Sequence, residues 1–328
     1  MKKLLLIDGH SLIHRAYHAY PKTLATAKGE LTNAVYGFTN ILLTAINELA
    51  PSHAAVAFDL PKPTFREQMF VGYKQSRVKP DDDMLVQIPR IKQIVAALNI
   101  PIFEVAGFEA DDVIGTLCRQ AAEKMAKTVT TAKMAKNSNH SSHFNHSDHF
   151  VIILTSDRDL MQLIRGDRVV VQLPAKGKIP AKTVTEPDFF NSWGFSPRLL
   201  PDYKALAGDQ SDDIPGVRGI GDKTARNLVA EFGGIDNIYR GLLKGRTLPR
   251  QGPTLIKKLT DGQDSAQLSK KLAAIDTAVP IKLDWNRMEI HEYDKQKVLE
   301  LFEKLQFKTL VRKLPNDSFE QNVQEVLF

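Results

Sequence analysis

Nine carboxylates stand where their spacing could support chemistry. Asp8 directly follows the apolar run Leu4–Ile7, Asp59 follows His53–Phe58, and Asp157 and Asp159 come just after Phe150–Leu154. Glu109, Asp111 and Asp112 are grouped in GFEADDV, and Asp209 and Asp212 in GDQSDD. Taken singly these signals are weak. An Asp at a strand end is usually a turn former, first-turn acids at 109–112 suit a helix dipole, and Asp-x-Asp recurs in unrelated proteins. Brought to one crevice, the seven acids from Asp8 to Asp159 would repel one another unless cations neutralised them. Two divalent ions with hard oxygen ligands, Mg²⁺ or Mn²⁺, meet that need. Such a pair suits phosphodiester hydrolysis, one ion acidifying the attacking water and the other stabilising the departing oxygen.

Two further segments point to phosphate. Residues 215–225, PGVRGIGDKTA, have helix-hairpin-helix spacing. Gly219 and Gly221 permit a tight turn and close backbone approach. The helix expected over Asp222–Phe232 aims its N–H groups at a phosphate, and Lys223 and Arg226 add charge on that side. Such a motif holds the backbone and carries no base information. A Gly-rich turn that touches nothing is the alternative, but Gly-x-Gly, a flanking Pro-Gly and basic residues occur together here. Tyr73, Lys74, Arg77 and Lys79 form a basic patch with an aromatic, suited to phosphate charge and base stacking; it reads equally as a solvated charge run.

The elements that must position these groups follow from periodicity. Lys3–Ile7, His53–Phe58, Ile100–Phe103, Phe150–Leu154 and Arg168–Gln172 lack polar alternation and read as strands buried on both faces. Asn33–Leu49, Met84–Leu98 and Ala110–Met125 carry helical spacing. The alternation predicts an α/β fold, a mainly parallel sheet with helices on both faces, whose strand ends would deliver Asp8, Asp59 and Asp157 to one rim. Beyond about Pro180 the pattern is helical, with breaks at Ile214–Gly221 and Gly233–Gly234, so the division falls near 174–184. Residues 126–149 are polar and His-rich and read as a mobile surface insertion. His140, His143, His146 and His149 invite a metal-binding reading, but nothing nearby would fix the rings, and a solvated insertion is preferred.

Composition sets wider bounds. A 43% apolar content supports a sizeable core, and 328 residues suit two compact units. One cysteine, Cys118, excludes an internal disulfide and fits a reducing cytoplasmic compartment. The net charge of +6, with pI about 9.2, is compatible with a polyanionic partner. No apolar stretch reaches the ~18–20 residues of a membrane span, and the N-terminal run is shorter than the ~7–15 of an export signal.

LLLIDGHSLIHRAYHA, AVYGFTNILL, AVAFDLPKPTFR, YKQSR, GFEADDVIGTL, ILTSDRDLMQLI, DYKALAGDQSDDIPGVRGIGDKTA and LELFEKLQF run in order across roughly residues 3–310. In these the chain resembles the 5′-nuclease (flap endonuclease) superfamily, and within it the 5′→3′ exonuclease domains of bacterial DNA polymerases. The resemblance implies a PIN-like core over 1–180 with a helical arch about 65–95, a helical DNA-binding region over 181–312 with the helix-hairpin-helix at 213–233, and a tail, 313–328. It implies one metal site from Asp8, Asp59, Glu109 and Asp111 and a second from Asp157, Asp159, Asp209 and Asp212, with Asp112 nearby. Lys74 and Arg77 would stabilise the scissile phosphate. Arg15, Tyr17, Tyr73, Gly216, Gly219, Gly221, Lys223, Thr224 and Arg226 would contact DNA, and a K⁺ ion would sit at the hairpin. The implied activity is 5′→3′ exonuclease and flap endonuclease cleavage of DNA at 5′ flaps, nicks and junctions, in primer removal and repair. A monomer in the bacterial cytoplasm, associated with the nucleoid, is expected. The chain would act alone or as the N-terminal part of a polymerase. The His-rich insertion departs from the family pattern. Competing readings are a DNA-junction binder with weak metal sites and a single-stranded ribonuclease of PIN-like fold, against which the hairpin counts.

Overall fold

The structure, a computed structural model, describes residues 2–135, 151–244, 252–290 and 293–316. Six strands form one sheet: β1 (Leu4–Asp8), β2 (His53–Ala57), β3 (Ile102–Phe103), β4 (Val151–Leu154), β5 (Val169–Leu173) and β6 (Lys182–Val184), in the order β3-β2-β1-β4-β5-β6. The first five are parallel, and β6 pairs antiparallel with β5. The short edge strand β6 was not expected from the sequence. Its three residues are too few to show a period.

The strands are apolar throughout because both faces are covered. Leu4 and Leu6 of β1 enter one core, Leu5 and Ile7 the other. Helices α1 (Gly9–Ala19), α2 (Asn33–Leu49), α3 (Phe65–Met69), α4 (Asp82–Leu85), α5 (Ile88–Ala97) and α6 (Ala110–Ala135) belong to the first half. The second half holds α7 (Glu186–Trp193), α8 (Leu200–Ala207), α9 (Asp222–Phe232), α10 (Ile235–Leu243), α11 (Pro253–Asp261), α12 (Gln263–Ala273) and α13 (Lys295–Lys304). α1, α2, α5 and α13 line the Leu5/Ile7 face, whereas α6 and α8–α10 line the Leu4/Leu6 face.

Four expectations are revised. The helix expected over Met84–Leu98 is split into α4 and α5. Buried Gln87 lies at the break, where its Oε1 accepts from the amides of Ala34 and Val35 in the first turn of α2, and Pro89 starts α5 because it cannot sit inside a helix. The span expected as a helical arch, about 65–95, accordingly holds three short helices with turns between them. α6 continues to Ala135, ten residues into the stretch read as a mobile insertion; His140, His143, His146 and His149 lie outside the described residues. α13 returns to the first half, burying Val298, Leu301 and Phe302 against the Leu5/Ile7 face, so the span 181–312 is not one packed unit. The tail is described as far as Asn316.

Candidate active site

The strand order reverses direction between β1 and β4, and in open parallel sheets the crevice outside such a switch point is where ligands bind. Asp8 ends β1 and Asp157 lies just beyond β4. A cleft of about 2310 Å³ opens there, lined among others by Asp8, Asp59, Glu109, Asp111, Asp157, Asp159 and Asp209, with Arg15, Lys74, Arg77 and Lys204. Seven of the nine singled-out carboxylates thus share one cavity.

Each is held by local structure. Asp8 caps α1, accepting from Ser11 N at 3.2 Å, and takes a second bond from the Thr155 hydroxyl at 2.7 Å. Asp59 accepts from the amide of Ala110 at 2.7 Å, joining β2 to the start of α6. The amide of Asp59 donates to His10 Nδ1 at 2.9 Å, which places the His10 proton on Nε2. Asp157 accepts from the amide of Asp159 at 2.8 Å. Burial pushes Asp8 up to about 7, against the Thr155 hydrogen bond and with help from Asp157 and Asp59. Burial, then Asp157, Asp8 and Glu109, hold Asp111 well above the ordinary carboxylate range. Burial raises Asp159 to about 6 although Lys204 opposes it. For Asp209 burial pulls the same way, but Lys204 and the bonds from Ser211 outweigh it and keep this carboxyl low.

This excess of negative charge, offered entirely by hard oxygen donors, fits divalent cations. The shell is not ready-made: among the described residues no three His, Cys, Asp or Glu groups converge as a metal cluster. Lysines stand between the acids instead. Lys204 pairs with both Asp159 and Asp209, and Lys74 pairs with Glu109 at 2.7 Å.

The loop 208–216 grips the 73–77 turn. The amide of Lys74 donates to Asp212 O at 3.0 Å, Ser76 binds Asp213 through its amide and hydroxyl at 2.7 Å each, and Arg77 reaches Asp212 at 2.5 Å. Lys74 adopts a left-handed φ of 54°, which costs a non-glycine residue about 1–2 kcal/mol and aims its ammonium at Glu109.

Several expected site residues sit elsewhere. Asp112 is fully buried, both carboxylate oxygens gripped by the Arg66 guanidinium at 2.7 Å, and is not placed as a metal ligand. Asp212 is outside the cleft lining, held by Arg77 and, at 3.3 Å, by the Tyr73 hydroxyl. Tyr73 and Tyr17 are buried, the latter donating to Asp81 at 2.7 Å, so neither ring offers a face to a base. Arg15 lines the cleft and ties α1 to Pro174 O at 3.1 Å and to Ala175 O. Gly216 is buried with its amide on Ser269 and its carbonyl on Ser265; its φ is +63° and an added Cβ would meet Gly208 N at 2.3 Å, so it closes the loop instead of touching a ligand. Arg226 stacks on Trp193 at 4.2 Å and pairs with Asp222. Gly219, Gly221 and Lys223 are exposed and Thr224 half-exposed at the N-terminus of α9, open to a phosphate. The Gly219 carbonyl accepts from Lys258 at 3.1 Å, so a cation already stands at the turn where K⁺ was expected.

A family model described as the N-terminal resolvase-like domain of 5′-3′ exonuclease matches residues 3–194, and one described as its C-terminal SAM fold matches 195–296. The chain belongs to the 5′-3′ exonuclease family. A 5′-3′ exonuclease of Aquifex aeolicus is 33% identical over 329 residues, covering 100% of both chains. DNA polymerase I of Chloroflexus aurantiacus is 39% identical over 319 residues, 95% of this chain and 31% of the relative. The chain spans about a third of the length of the DNA polymerase I relatives it matches. T5 5′-exonuclease with bound divalent zinc superposes with a TM-score of 0.61 at 18% identity, over 93% of this chain and 100% of that one. The catalytic core of Rad2 with DNA substrate gives 0.57 at 14%, over 96% and 93%. At such identities the likeness establishes a shared fold. No helix among the described residues is long and apolar enough to cross a membrane.

Within this family frame, residues not singled out from the sequence prove structural to the site. Lys204 carried a legible signal, five positions before Asp209 on a helix running into the acid loop. His10, His14 and Lys204 all line the cleft; the histidines recur every four residues after Asp8. Arg66 had no signal, because its partner Asp112 is 46 residues away.

Proposed function

We propose that this chain is a structure-specific 5′-nuclease that hydrolyses DNA phosphodiesters with two divalent cations, Mg²⁺ or Mn²⁺, as 5′→3′ exonuclease and flap endonuclease in primer removal and repair. The observation that carries the reading is the gathering of Asp8, Asp59, Glu109, Asp111, Asp157, Asp159 and Asp209 around one cleft at the sheet's switch point. Asp8, Asp59, Glu109 and Asp111 would hold one ion, and Asp157, Asp159 and Asp209 the other, with Asp212 beside them. Such ions supply an acidified water and charge neutralisation at the departing oxygen. The chain's own residues do the rest. Lys74 and Arg77 stand at the rim; a cation held by Glu109 would weaken that acid's grip on Lys74, and both side chains would offer charge to the phosphate. Gly219, Gly221, Lys223 and Thr224 offer open amides and charge to the duplex backbone. A K⁺ ion at this hairpin would compete with Lys258 for the Gly219 carbonyl.

The substrate class proposed is DNA with 5′ flaps, nicks or junctions, bound without regard to sequence by a monomer in the bacterial nucleoid, acting with a polymerase, separate or covalently joined. A labelled 5′-flap duplex, incubated with and without Mg²⁺, tests this. Cleavage near the junction only with Mg²⁺, lost in Asp157→Asn without loss of fold, is the expected result. Flap binding without product in Mg²⁺ would leave only a junction binder, and preference for single-stranded RNA would make it a ribonuclease.

A further inference from the structure

The two halves of the acidic cleft are neutralised unequally. None of the ion pairs among the described residues involves Asp8, Asp111 or Asp157. Asp159 and Asp209 are instead bridged by the Lys204 ammonium, which donates to an oxygen of each. Lys204 is only 8% exposed. It lies on α8, and Gly208, with φ +73°, turns the chain back so that Asp209 faces the lysine one turn behind it. The second oxygen of Asp209 takes the amide and hydroxyl of Ser211, at 2.8 and 2.6 Å. Both acids of this pair are thus tied to one buried ammonium; at the other site Lys74 and Arg66 reach only Glu109, and Asp8 takes neutral donors, Ser11 N and the Thr155 hydroxyl.

We propose that Lys204 is an internal counter-ion that holds Asp159 and Asp209 together in the metal-free chain, and that a divalent cation can enter between them only by displacing it. The inference rests on the two-cation reading above. A divalent ion and an ammonium sharing one carboxylate pair would stand within a few ångströms of each other, and in a buried site that repulsion is screened weakly. The lysine must then swing away. Its four-carbon stem allows this, and the cleft it lines leads to where a phosphodiester would sit, an anion able to accept the freed ammonium. Cation loading is thus ordered: the site of Asp8, Asp59, Glu109 and Asp111 first, the Lys204 site second and favoured by bound DNA phosphate.

Mn²⁺ titration of the full chain without DNA, followed by electron paramagnetic resonance, tests this. The parent is expected to bind one Mn²⁺ tightly and a second weakly, and Lys204→Met to bind the second at least tenfold more tightly. Unchanged or weakened second binding in the variant overturns the counter-ion role and leaves the metal reading standing. Absence of Mn²⁺ binding by either protein sinks both. Should Lys204→Met fail to fold, amine-reagent labelling of the parent, read by peptide mass spectrometry, decides. Lys204 should become several-fold more reactive when Mn²⁺ is added, and constant or reduced reactivity refutes the displacement.

Discussion

Arg66 and Asp112 provide the sharpest test of the geometry, because the resemblance set Asp112 beside a metal and the structure gives it to the fold. Asp112 has no exposed surface and accepts four bonds: two from Arg66 at 2.7 Å, one from the Glu109 amide at 3.0 Å and one from the Asp276 amide at 2.8 Å. Arg66, 2% exposed, also donates to Leu272 O at 2.9 Å and Ala274 O at 2.7 Å. The pair therefore joins α3, α6 and the segment after α12. Removing one partner strands a buried charge, at about 3–5 kcal/mol. Arg66→Met and Asp112→Leu should each lose about 4 kcal/mol in urea denaturation followed by tryptophan fluorescence. Each single variant strands the other partner's charge and the double strands neither, so the double should fall short of their sum by about 3 kcal/mol. A coupling below about 0.5 kcal/mol would refute the argument. So would an Asp112→Leu variant that keeps its stability but binds divalent cations poorly, since Asp112 would then be a ligand.

Three further outcomes follow from the same structure. Asp8 ionises near 3.8 when unfolded and at about 7 when folded, so its contribution to stability is full below pH 3.8 and is lost as pH rises through 7. In chelator, Asp8→Asn should therefore gain on the parent in melting temperature between pH 4 and pH 8, and a pH-independent difference would contradict the burial argument. Gly216→Ala should lower stability by several kcal/mol, about the cost of overpacking plus a left-handed alanine, since its Cβ would strike Gly208 N; a neutral effect in thermal melts would mean the loop yields. Lys223→Ala should reduce the slope of log affinity against log salt for duplex DNA by about 1, whereas Tyr17→Phe should leave DNA affinity alone, its hydroxyl being spent on Asp81.

Much of the fold was legible because its signals are local. A parallel sheet covered on both faces demands uninterrupted apolar runs, and β1, β2, β4 and β5 fall within a residue or two of those runs. α2 and α9 match their expected spans, since helical periodicity and Gly punctuation act within a few residues. The strand-end placement of Asp8, Asp59 and Asp157 was readable for the same reason: once strands are parallel, residues following them share a rim.

What could not be read along the chain is which partner each polar group finds. Asp111 and Asp112 are neighbours in sequence, yet successive residues on a helix point about 100° apart; one lines the cleft and the other is buried on Arg66. Tyr17, Tyr73 and Gly216 have the residue types of a binding surface, but packing turned them inward. The pairing of Lys204 with Asp159, 45 residues away, and the return of α13 to the first half depend on contacts between distant segments. Such contacts form only when the whole chain has closed its loops, and no local pattern encodes them.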